Sequence, residues 1–461
     1  MAQAAVASLL ALFVIGCGGS GAPKIGTTPQ SITFSNPGTQ TAGTSQTLSA
    51  TANSGLAVTF SSTTTGTCTV SGSTVTFTAA GTCTLSASIA GNSTYAAASP
   101  VAQSFTVNPA IPAGTTVYIA GYAFVATPGN LANSVATLWQ LAPGTPTATA
   151  TLLAMPGGMT STQANSVAVS GSDVYVAGSA TNATTGIALY WHNGSPIVLP
   201  SSMSLARAYS IAVSGGDVYV VGFEENNVNQ GNALLWINGV PTTLPTPSGL
   251  TGPSPYAIAI SGGNVYIAGT ASSSSGNTAL YWVNGTPTVL PQPSGHSPGV
   301  LALGIGVLNG NVYVSGGSDS SSSNEFAYLW KNGGAPTALQ LPTGIEPERY
   351  DASQITVSGN NLYVAGGGAT GSSTGTAAYW MNGMPTILPV PNNLQNTLAV
   401  TSALQIALAG SDVYAAGSFY DTNLGNLQSA AYWVDGGAAT LLPMPTGAAE
   451  AYANGIAVAT Q

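Results

Sequence analysis

The chain has 461 residues, of which 44% are hydrophobic and only 4% charged, and its net charge is −9. That length suits two or three domains, and the low charge leaves solubility to Ser, Thr, Asn and Gly. The four cations, Lys24, Arg207, Lys331 and Arg349, are too few and too scattered to displace counterions from a phosphate backbone, which excludes DNA and RNA as partners.

Residues 4–16 read AAVASLLALFVIG. The run is too short to span a bilayer as a helix and has the length of a signal-peptide core. It ends at Val14-Ile15-Gly16-Cys17, followed by Gly18-Gly19-Ser20-Gly21. This segment resembles the lipobox of bacterial lipoproteins. The resemblance implies that residues 1–17 are a signal peptide ending at a lipidated Cys17, with 18–27 as a flexible tether. Gly18 is not the aspartate that retains such proteins at the inner membrane, so the expected location is the outer membrane or cell surface, held by the lipid alone. Cys68 and Cys83 then remain as one pair, which an exported protein can keep as a disulfide. Two cysteines without nearby histidines do not make a zinc site.

Residues 28–108 carry no charge and alternate strand and turn. Ser31-Ile32-Thr33-Phe34, Thr47 to Ala52, Ala57-Val58-Thr59-Phe60, Cys68-Thr69-Val70, Thr74 to Thr78, Thr82 to Ala87 and Gln103 to Val107 show the period-two pattern of half-buried strands. With its GTCTVSGSTVTF…AAGTCTL hairpins and GNSTYAAA…SFTV ending, the stretch resembles bacterial Ig-like domains, which implies a β-sandwich spacer or adhesion module. Residues 109–115 read as a short Pro-containing linker.

From 116 to 461 the chain repeats about every 50 residues. Each unit reads roughly A-I-A-V-S-G-G-D-V-Y-V-A-G, a variable loop, A-L-Y-W-x-N-G, then P-T-x-L-P. All seven tryptophans of the protein fall in one slot: Trp139, Trp191, Trp236, Trp282, Trp330, Trp380 and Trp433. A tyrosine (Tyr118 to Tyr414) and a glycine read as ending its strand (Gly121 to Gly417) recur likewise. Four short strands per unit, with Asn-Gly as the third hairpin turn, predict a propeller blade. The first unit lacks its first strand, and Asn454-Gly455-Ile456-Ala457-Val458 matches that missing strand. The predicted fold is therefore all-β: an Ig-like sandwich followed by a seven-bladed propeller closed by the C-terminal strand. The unit around Ala206 to Gly222 resembles a kelch repeat, although the double glycine survives only at Gly316-Gly317 and Gly366-Gly367.

Residues repeated in every unit are expected to pack between blades. Turn residues Asp173, Asp217 and Asp412 interchange with Asn264, Asn311 and Asn361, which marks turn chemistry and not acid catalysis. Variable loops gather on one face, and that face is the expected working surface. It carries Glu224, Glu225, Asp319, Glu325, Glu346, Glu348, Arg349, Tyr350, Asp351, Asp421, Glu450, Arg207 and His296, with Tyr209, Tyr256 and Tyr420. The candidate ligand-binding residues are Glu224, Glu225, Glu346, Glu348, Arg349, Tyr350 and Asp351. These features point to a monomeric, surface-anchored binding or adhesion module for a glycan or an extracellular protein. A polysaccharide-active enzyme is the alternative, with a carboxylate pair drawn from Glu346, Glu348 and Asp351, and a structural envelope role is a third. No cofactor or metal motif is present; Ca²⁺ bound by loop carboxylates is the one ion considered.

Overall fold

The computed structural model describes residues 27–125, 133–145, 147–226, 230–293, 299–318, 326–341, 349–370, 374–389, 401–421 and 427–460, except for the side chains of 349–350, 369–370, 374–375, 401–403, 420–421 and 427. Every regular element among them is a strand.

The N-terminal unit has three small sheets. Ile32–Phe34 pairs with Ala50–Ala52, and Ser45–Thr47, Thr74–Phe77 and Cys68–Ser71 form a second sheet. Gln40–Thr41, Val101–Asn108, Gly81–Ser88 and Thr59–Ser62 form the third. Period-two alternation drives their inward residues, among them Val75, Phe77, Leu85, Phe105 and Val107, into one core. A Cys68–Cys83 disulfide crosses between two of the sheets, with Cα atoms 5.7 Å apart. The single strand expected over Thr47 to Ala52 is instead two. Leu48 between them is buried, and its N–H bonds to Ser73 O at 2.7 Å.

The rest is a β-propeller-like ring of four-stranded antiparallel sheets, numbered here in chain order. The third shows the plan: innermost Leu205–Ser214, then Asp217–Glu225, Gly231–Ile237 and outermost Val240–Thr243. The second, fourth, fifth, sixth and seventh begin with inner strands Ser161–Ser170, Thr251–Ser261, Val300–Leu308, Arg349–Ser358 and Thr401–Ala409. In the first sheet the inner strand is C-terminal: Ala448–Thr460 pairs along Thr115–Val125, from Thr115↔Thr460 to Val125↔Ala448. Chain order and spatial order are thus offset by one strand.

A buried apolar cluster fills each gap between neighbouring sheets, and each cluster holds one tryptophan. Every indole Nε1 donates to a carbonyl at the end of the preceding sheet. Trp236 bonds Pro200 O at 2.8 Å and Trp282 bonds Pro245 O at 2.8 Å. In the first sheet Trp139 reaches across to Pro443 O of the seventh at 2.8 Å. The acceptor side of this inter-sheet staple is the Pro of the recurring Leu-Pro after five of the outer strands, and Ala154 O and Gln340 O after those of the first and fifth sheets. The apolar body of the ring stays buried while its polar N–H is satisfied.

The short-turn end carries a second repeated device. Asn193, Asn238, Asn284, Asn332 and Asn382 sit in the left-handed region at φ of 47 to 52°, which Asn tolerates better than other side chains. Each donates Nδ2 to the turn residue two strands back, as Asn193 does to Asp173 Oδ1 at 2.7 Å and Asn284 to Asn264 Oδ1 at 2.7 Å. Each also accepts the following backbone N–H on its own Oδ1, as Asn193 does from Val174 at 2.9 Å.

The N-terminal unit meets this same end of the ring. Asn108 Nδ2 donates to Thr440 Oγ1 at 2.6 Å, and linker residue Ile111 is buried among Tyr414, Tyr432 and Val434 of the seventh sheet.

Candidate functional site

In each innermost strand the ladder slips at the same height. The slips fall at Asn165, Tyr209, Tyr256, Leu303, Ser353-Gln354, Leu404 and Asn454. A bulge leaves its extra residue out of the ladder and re-aims the side chain. All of these residues border one cavity of about 520 Å³ on the ring's axis, together with Tyr122, Gln163, Asp351 and Gln405. Gln163 and Asp351 lie near the starts of their strands, so the cavity is nearer the long-loop end than the short-turn end.

The bulges explain the recurring glycine. A Cβ on Gly222 would lie 1.9 Å from Arg207 O, and one on Gly178 would lie 2.0 Å from Gln163 O. The bulged strand leans onto its neighbour there, and only a residue without a side chain leaves room. These glycines do not end their strands as expected. Gly222 is interior to Asp217–Glu225, because its role is the close approach and not termination.

The seven slots differ in what they present. Asn454 Nδ2 bonds Ala164 O at 2.8 Å and Asn165 Nδ2 bonds Ala208 O at 2.8 Å, each tying an inner strand to the next sheet. Gln405 Oε1 accepts Ile456 N–H at 2.8 Å between the seventh sheet and the first. Sheets three and four instead present aromatic rings. Tyr209 and Tyr256 lie 5.3 Å apart, and Tyr209 stacks on Phe223 at 5.6 Å. Burial pushes the Tyr209 phenol up to about 12, and Tyr256 adds to this against the pull of Arg207 beside it. Tyr209 is therefore a neutral hydroxyl at physiological pH. A further aromatic group, Tyr122 stacked on Tyr452 at 4.7 Å, stands on the first sheet with Glu450 accepting from Tyr452 at 3.3 Å.

The structure redistributes the candidate residues. Glu224 is not available to a ligand. It is 3% exposed and accepts from Ser202 N at 2.6 Å, Ser202 Oγ at 2.8 Å and Asn232 Nδ2 at 3.1 Å. Burial pushes its carboxyl up, but the Ser202 and Asn232 bonds outweigh this and hold it below the usual range. It pins the loop that enters the third sheet. Glu225 is half-buried at the strand end and lies within electrostatic reach of Tyr209. Asp351 is half-buried and lines the cavity. Arg349 and Tyr350 open the sixth sheet's inner strand, but their side chains lie outside the described residues. Glu346, Glu348, His296, Asp319, Glu325 and Cys17 lie outside them altogether, as do the side chains of Tyr420 and Asp421. The cavity residues Tyr122, Gln163, Gln354 and Gln405 were not singled out by the sequence. Among the described residues no three His, Cys, Asp or Glu side chains converge as a metal site.

No family model matches the chain, and no curated protein matches it in sequence. Solved structures similar to it include YjhT, at 13% identity and TM-score 0.36, covering 60% of this chain and 95% of that one. A quinonprotein alcohol dehydrogenase-like protein of Bacteroides thetaiotaomicron has 10% identity and TM-score 0.34, covering 95% and 97%. A thermostable family-43 glycoside hydrolase has 13% identity and TM-score 0.31, covering 52% and 97%. Similarity at this level carries no functional argument.

Proposed function

We propose that this chain is a surface-anchored lipoprotein in which an Ig-like stalk carries a seven-bladed, kelch-like propeller that binds a glycan at the axial cavity. The observation that carries the reading is the Tyr209–Tyr256 pair on one side of a cavity whose other residues are largely amides and hydroxyls. Sugars present an apolar ring face and a rim of hydroxyls. Aromatic planes match the first, and Asn, Gln, Ser and Asp match the second. The junction at the short-turn end supports the surface role. With Cys17 lipidated, the stalk meets the ring at the end away from the long loops, so the cavity mouth faces outward.

A hydrolytic role is the second reading. It requires two carboxylates across the scissile bond. Asp351 in the cavity supplies one, and Glu346 and Glu348, a few residues before it in sequence, are the candidates for the other.

Calorimetry of the unlipidated chain against neutral and acidic oligosaccharides tests both readings. Binding that falls about tenfold or more in Tyr209→Ala and Tyr256→Ala, with melting temperature retained, is the expected result; tenfold corresponds to about 1.4 kcal/mol. Release of reducing ends, lost in Asp351→Asn, would favour hydrolysis. Absence of binding across the panel would sink both.

A further inference from the structure

The axial cavity is uneven in charge. Among the described residues that line it, Asp351 alone is charged at neutral pH, and no Lys, Arg or His borders it. The Asp351 side chain is half-buried, so its carboxylate has lost part of its hydration. Arg207 stands just outside the lining and reaches Tyr209, but Glu225 acts on the same phenol with the opposite sign. Glu450 adds a further acid at this end, bonded to Tyr452 beside the cavity residue Tyr122.

The remaining walls are neutral and partly aromatic. Tyr209 and Tyr256 stand on the third and fourth sheets with their planes 48° apart, so they form a corner and not a flat stack. Asp351 stands on the sixth sheet, further round the same cavity. Gln163, Asn165, Gln354, Gln405 and Asn454 supply amides between them.

These walls discriminate among sugars. Amides and hydroxyls serve neutral hydroxyl groups equally well in any hexose. An acidic sugar would bring a second negative charge to Asp351, where partial burial makes like-charge repulsion stronger than in water. A protonated amine does the opposite. It offers three donors and no acceptor, its charge compensates the carboxylate, and the faces of tyrosine rings attract cations.

We infer that the cavity selects an oligosaccharide bearing free amino groups, of the hexosamine type, with an ammonium at Asp351 and a sugar ring face in the Tyr209–Tyr256 corner. This rests on the glycan reading above and narrows it to a cationic class.

The test is calorimetry of the chain against glucosamine, N-acetylglucosamine and glucose oligomers of one length and linkage, with spermidine as an ammonium that has no sugar ring. Acetylation removes the charge and leaves the ring. The glucosamine oligomer should bind about tenfold or more tighter than the other three, as expected for a charge-assisted hydrogen bond, and added salt should erode that preference. In Asp351→Asn the preference should collapse while the weaker binding of the glucose oligomer and the melting temperature are retained. Equal or tighter binding of the acetylated or glucose oligomers would overturn the inference and leave the glycan reading standing. Spermidine binding as tightly as the glucosamine oligomer, or a preference undiminished in Asp351→Asn, would also overturn it. Binding of none of the sugars would remove the inference together with the reading on which it rests.

Discussion

Replacing Gly222 with alanine tests the link between the recurring glycines and the cavity. The new Cβ would lie 1.9 Å from Arg207 O and 2.9 Å from Ala208 Cα. Ordinary carbon contacts lie at about 3.5–4.0 Å, so the inner strand must move by more than an ångström. Neither contact is a flexible side chain that can swing aside. Overpacking of this kind costs about 1–3 kcal/mol, and loss of one ladder hydrogen bond adds about 1 kcal/mol. The expected total is about 2–4 kcal/mol, or roughly 3–6 °C in melting temperature for a unit of this size. The displaced strand carries Tyr209, so the proposed glycan binding should fall together with stability. Differential scanning calorimetry and the binding assay measure the two. A Gly222→Ala chain that melts and binds like wild type would refute the claim that the glycine exists to admit the bulge.

Three further outcomes follow from the same geometry. Trp139→Phe keeps a ring in the gap but deletes the bond to Pro443 O; it should lower stability by about 1 kcal/mol and raise proteolysis of the C-terminal strand. Glu224 has a depressed carboxyl in the fold, so its contribution is present above the unfolded carboxylate range and is lost as pH falls through the folded value. Glu224→Gln should therefore be less stable than wild type at pH 7, with the gap closing in acid; a pH-independent gap would contradict the assignment. Reducing the Cys68–Cys83 bond should destabilise the N-terminal unit by about 3 kcal/mol for a loop of this length and leave the ring's transition in place, as two-domain calorimetry would reveal.

The repeat made much of the ring legible in advance. Trp, Asn-Gly and Leu-Pro recur because each occupies one inter-sheet or turn environment many times over. The bulges were harder to see, because a one-residue slip does not change composition. Its trace is a phase change. In Leu205–Ser214 the buried residues run Ala206, Ala208, Ser210 and then Ile211, two in succession. Glu224 is buried for a related reason. It continues the inward phase of Val220 and Gly222, so alternation pointed to burial where its charge suggested a loop. Tyr209 and Tyr256 were recognisable as aromatics near the working face, but their meeting at 5.3 Å depends on two adjacent bulges aiming into one axis.

The offset closure of the ring also fixes how the molecule carries load. A pull on the N-terminal unit would enter the ring at the strand Thr115–Val125, which is held on both sides, by Ser134–Leu141 and by Ala448–Thr460. Its ladder bonds run across the strand. A pull along the strand from Thr115 therefore shears two ladders together and does not peel one bond at a time. Stretching from the N-terminus should therefore give a single high-force rupture with no early stepwise unzipping.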